Sequence, residues 1–64
     1  MTAKEKIEDN IRQYRAFRKT LIHDKTTALK LGYQLQADKI ETDINWCRDI
    51  IDLLEDILNK IENE

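Results

Sequence analysis

Four basic residues, Arg12, Arg15, Arg18 and Lys19, fall within about two helical turns, with Tyr14 and Phe17 between them. Arg12, Arg15 and Lys19 share one helix face at i, i+3, i+7 spacing, with Arg18 adjacent. Cations interleaved with aromatics can follow a phosphate backbone and stack bases. These four are therefore the candidate phosphate contacts, and a nucleic-acid-associated factor is the alternative reading of the chain. The plainer reading puts Tyr14 and Phe17 in a core. The cations then lie in solvent or against a second helix.

The opposite charge gathers later in the chain. Asp49, Asp52 and Asp56 form an acidic stripe, joined by Asp38, Glu41, Asp43 and Glu55. Such a face can meet a basic partner, or imitate DNA phosphates and so inhibit a DNA-binding protein. It also serves plain solubility. Glu5-x-x-Glu8 and Asp49-x-x-Asp52 have the spacing of magnesium-holding pairs, but a hairpin register sets them far apart, so no metal is expected. His23 is alone, and Cys47 is the sole cysteine. Zinc needs several ligands at workable spacing, and none accompany these two. Nucleophile, base and oxyanion-donor constellations are missing, as is a glycine-rich phosphate loop. The expectation is a non-enzymatic protein with no catalytic residues and no cofactor.

What positions these residues is helix. From Ala37 onwards, Ile40, Ile44, Cys47, Ile51, Leu54, Leu58 and Ile61 recur at alternating spacings of three and four, an apolar seam on one helix face. Beside it runs a second seam of Trp46, Ile50, Leu53 and Ile57. Upstream, Thr2-Ala-Lys-Glu5 fits a capping box. The helix that follows carries Ile7, Ile11, Tyr14, Phe17, Leu21, Ile22, Ala28, Leu29 and Leu31 as apolar positions. There is no proline, and Gly32 is the only glycine.

Gly32 is the natural end of the first helix, because glycine takes the left-handed conformation of a helix C-terminus without penalty. Two arms of roughly 29 residues and about 43 Å result. In an antiparallel hairpin closing there, facing residue numbers total about 65. Ile7 meets Leu58, Ile11 meets Leu54, Tyr14 meets Ile51, Leu21 meets Ile44 and Ala28 meets Ala37. Arg18 would face Cys47 and Lys25 would face Ile40, laying their aliphatic stems on the seam. The rival turn, at residues 23–27, gives arms of unequal length. The C-terminal residues 62–64 are expected to fray.

The 64 residues make a single domain, 1–64, with a core that is marginal unaided. With no disulfide or metal expected, oligomerisation is the remaining source of stability. A lone hairpin leaves the Trp46, Ile50, Leu53, Ile57 seam wet, so a homodimer forming an antiparallel four-helix bundle of coiled-coil type is expected across it. Cys47 within an apolar seam reads as a small hydrophobe in a reducing, cytoplasmic setting. Charged residues make up 38% of the chain, yet the apolar periodicity argues for packed helices over disorder. Residues 1–31 carry eight lysines and arginines against four carboxylates, a net of +4. Residues 32–64 carry three against nine, a net of −6, so the two arms attract. No apolar run spans a membrane, and the opening Met-Thr-Ala-Lys-Glu-Lys does not read as a signal peptide.

One stretch, Ala28-x-x-Leu31-x-Tyr33-x-x-x-Ala37-x-x-Ile40-x-x-x-Ile44, resembles the UVR helical hairpin of nucleotide-excision-repair proteins. That resemblance covers under a third of the chain and implies a protein-interaction module. The paired alanines and the Arg-Asp step of the motif are absent: Asp38 follows Ala37, and Glu41-Thr42 follow Ile40. The texture of the whole is also similar to small prophage-encoded proteins of Gram-positive bacteria. That likeness implies a phage or mobile-element regulator or inhibitor docking on a protein partner.

Overall fold

The computed structural model describes residues 2–63. Two helices, α1 (Ala3–Lys30) and α2 (Gln34–Glu62), pack along their whole length as a hairpin measuring 49 × 17 × 11 Å. No strand occurs among the described residues.

The N-terminus of α1 is held by Thr2, whose hydroxyl accepts a 3.2 Å hydrogen bond from the Glu5 amide. That is the threonine half of the expected capping box, and it occupies one of the amides a helix start leaves unpaired. At the other end, the Gly32 amide donates to the Leu29 carbonyl and the Tyr33 amide to that of Ala28, at 3.1 and 2.8 Å. These two bonds define a Schellman motif, and Gly32 sits at φ +81°, the left-handed region open to glycine. The turn is therefore the Gly32 turn. The rival at residues 23–27 is overturned, because those residues lie inside α1. There Thr26 and Thr27 donate to the carbonyls of Ile22 and His23 instead of capping a new helix.

The C-terminus is helical through Glu62. Glu62 is the last residue of α2, and its carboxylate lies 3.6 Å from the Lys4 ammonium. Asn63 closes the end through its amide to the Asn59 carbonyl. Fraying at Glu64 lies outside the described residues.

The register is the expected one. The partners in Lys4–Glu62 and in Lys25–Glu41 both total 66. Ile11, Leu21 and Ala28 of α1 and Ala37, Cys47 and Ile51 of α2 are the buried residues. The two alanines beside the turn let the backbones approach where the loop is shortest. Arg18 and Lys25 stand half-buried on the inner face, as their register requires. Two layers are thus spanned by aliphatic stems whose charged ends reach past the seam.

Candidate protein-interaction surface

In a helix, the residue before a core position and the residue after it lie about 100° to either side, so the inner seam has two flanks. On α2 the residues after core positions are Asp38, Glu41, Asn45, Arg48, Asp52, Glu55, Asn59 and Glu62. Those before are Gln36, Lys39, Asp43, Trp46, Ile50, Leu53, Ile57 and Lys60. On α2 the middle stretches of the two flanks differ in chemistry, whereas on α1 the exposed Ile22 and Leu29 lie on the same side as Arg15.

The first flank is ionic and satisfied within the hairpin. Lys4 pairs with Glu62, Arg15 with Glu55 and Lys25 with Glu41. These three bridges clasp α1 to α2 at the open end, the middle and near the turn. A shallow groove at the open end is lined by Glu8, Arg12, Arg15 and Glu55 over Ile11 and Leu58. Three of the eight basic residues of the first arm and three of the nine acidic residues of the second are engaged on this flank.

The second flank is apolar and uncovered. Trp46, Leu53 and Ile57 are 52, 56 and 37% exposed, with Ile50 half-buried between them. Trp46 leans on α1, its ring 5.9 Å from that of Tyr14 in an edge-to-face contact. Phe17, expected in the core, is instead 50% exposed. It precedes Arg18, so it falls on the flank, while the Arg18 stem takes the inner position. Ile22, Leu29 and Leu31 are likewise exposed apolar positions rather than core. Their spacing put them on a helical apolar face, but each lies a residue or more off the seam that meets α2.

The remaining candidate residues are dispersed. Of the basic group, Arg15 is bound to Glu55 and Arg18 stands against the core. Arg12 lies 3.8 Å from Asp9, and Lys19 is exposed. Asp49, Asp52 and Asp56 are all exposed on the outer side of α2, with Arg48 near Asp49 and Lys60 3.4 Å from Asp56. Glu41 and Glu55 leave the acidic stripe for their cross-helix pairs. Among the described residues, no group of three or more histidine, cysteine or carboxylate side chains could hold a metal ion. His23 is exposed.

Cys47 is fully buried. Burial raises its thiol pKa above the ordinary range, and the Asp43 carboxylate adds to this, while Arg18 opposes it. A neutral, enclosed thiol is a packing element rather than a nucleophile.

A second apolar concavity lies at the turn end of the same flank, where Ala28, Leu31, Tyr33 and Ile40 are edged by Asp24 and Lys39. Leu35 beyond it is 80% exposed. Among the described residues, no helix is long and apolar enough to cross a membrane. No protein-family model matches the chain, and no match is found among curated proteins or solved structures.

Proposed function

We propose that this chain is a non-enzymatic protein-interaction module that works as a homodimer, two hairpins forming a four-helix bundle across the Trp46, Ile50, Leu53, Ile57 flank. The observation that carries the reading is the contrast between flanks. One set of side chains is already paired inside the hairpin, while the other presents large apolar groups to water.

Area supports a second copy as the occupant. The chain exposes 5072 Å², whereas a compact monomer of 7.6 kDa is expected to expose about 4,300 Å². The excess, about 800 Å², is what each partner of a standard stable interface buries. It arises because a hairpin is only two helices thick, so each flank has no layer over it. Fully covering each large apolar side chain contributes roughly 1.5–3 kcal/mol, and a dimer collects every contribution twice.

The bundle leaves the outer face of α2, with Asp49, Asp52 and Asp56, as the surface for a further, basic protein partner. Regulation or inhibition by docking fits such a module. The nucleic-acid alternative is weakened by the engagement of Arg15 and the inward position of Arg18. A buried, unpaired Cys47 suits a reducing compartment, which supports the cytoplasm.

Light scattering across a hundredfold dilution tests the dimer. The expected result is a mass of two chains at the upper concentrations. A folded chain of single mass throughout rejects the reading.

A further inference from the structure

Given the dimer proposed above, we infer that the two hairpins lie with their turns at opposite ends, aligned by Lys6 and Lys60 of one copy against Asp24 and Asp43 of the other. The argument starts from how charge is placed along the apolar flank. At the open end the flank carries Lys6 on α1 and Lys60 on α2. Further towards the turn it carries Asp24 and Asp43. Between these ends α1 presents Asn10, Gln13, Phe17 and Thr20, and α2 presents the apolar row, with no formal charge on either. Lys39 lies beyond the two aspartates, nearer the turn, and is outnumbered by them.

The spacing is matched on both helices. Lys6 and Asp24 are 18 residues apart and Asp43 and Lys60 are 17 apart, each about 26 Å of helix. A two-fold axis across the middle of the flank, perpendicular to the helices, therefore brings both lysines onto both aspartates of the second copy at once. The same axis sets Trp46 against Ile57 of the second copy and Ile50 against Leu53. Charge and apolar register coincide, so the flank is complementary to itself.

The other two-fold arrangement has both turns at one end. It lays α1 of one copy on α2 of the other, and Lys6 then meets Lys60 while Asp24 meets Asp43. Like charges at an interface edge disfavour that register, and opposite charges select the alternative. The groups are free to do this. All four side chains are exposed, and among the described residues Lys6, Asp24 and Asp43 have no ion-pair partner. Lys60 has only its exposed neighbour Asp56, 3.4 Å away.

A nitroxide attached to Gln34→Cys, beside the turn, reads the arrangement through the spin–spin distance in the dimer. Cys47 is fully buried and stays unlabelled in the folded chain. Turns at opposite ends give a distance of about 50 Å, whereas turns at one end give about 20 Å. A distance near 20 Å overturns the inference and leaves the dimer standing. Loss of any dipolar signal, with single-chain mass, overturns the dimer itself. Charge reversal supplies an independent arm. Lys6→Glu with Lys60→Glu should weaken the dimer about tenfold at low salt, and adding Asp24→Lys with Asp43→Lys should restore it. A dimer indifferent to the first pair of changes also overturns the inference.

Discussion

The two flanks of this hairpin are built on the same helices, one residue to either side of the same seam, and they do opposite work. On the ionic flank, Lys4, Arg15 and Lys25 of α1 reach Glu62, Glu55 and Glu41 of α2. Every one of those groups would otherwise be solvated, so the pairs contribute little energy but fix which residues face each other. On the apolar flank, Trp46 meets the Tyr14 ring, and Trp46, Leu53 and Ile57 remain about half in water. Registry is thus specified inside the chain, and the exposed apolar row of α2 lies on the other side, with Ile22 and Leu29 of α1 exposed beside the ionic pairs. A two-helix molecule that buries six of its described residues can be specific without being strongly stable on its own.

The sharpest way to break this comparison is Leu53→Asp. The proposed dimer would lose two apolar contacts of roughly 1.5–3 kcal/mol, so its dissociation constant should rise at least about a hundredfold. Sedimentation equilibrium checks this, and an unchanged dimer would show that the apolar row is not the contact. Ile51→Ala probes the seam beneath both flanks and should destabilise the chain by about 2–5 kcal/mol in urea unfolding. A loss well under 1 kcal/mol would mean the seam is not packed as described.

Gly32→Ala affects both flanks alike through the turn. At φ +81° there is nothing within 4 Å of an added Cβ, so the cost is backbone strain alone, about 1–2 kcal/mol. A neutral result in thermal unfolding would argue against the left-handed turn. Alkaline pH acts on Cys47. Its raised native pKa means the unfolded chain releases the thiol proton first, so stability is untouched below the usual thiol pKa of about 8.5 and falls as pH rises above it. Cys47→Ala should flatten that part of the curve, and an unchanged slope would assign it elsewhere. The smallest effect is expected from Glu55→Ala. It lies two residues from Leu53 but on the ionic flank, and should cost about 1 kcal/mol or less while leaving the dimer intact. If it dissociates the dimer instead, the division between flanks is wrong.

Much of this was legible in the chain itself. The 3–4 spacing from Ala37 to Ile61 marks the inner face of α2, and the single glycine marks the turn. Equal arms then fix the register near 65. The Trp46 row was legible as well, because it departs from the seam by one residue at each step. Phe17 was not. Its aromatic character favours the core, whereas the register that sets Arg18 against Cys47 already places it one residue off the seam, and the structure follows the register. Nor was the fate of the charges visible. Arg15 and Glu55 read as members of two separate charged faces, forty residues apart, and they meet only because the hairpin folds there.

By itself, then, the sequence determined that there are two helices, where they turn, which face of each is apolar, and that one apolar row is left over. Those properties follow from local chemistry and helical periodicity, which act within a few residues. The tertiary structure decided which charges cancel one another and which aromatic side chains stay in water. The reason is that contacts between α1 and α2 depend on how one helix is rotated about its axis and shifted along the other. That choice is made by packing and cross-helix pairing together, and no short stretch of chain contains it.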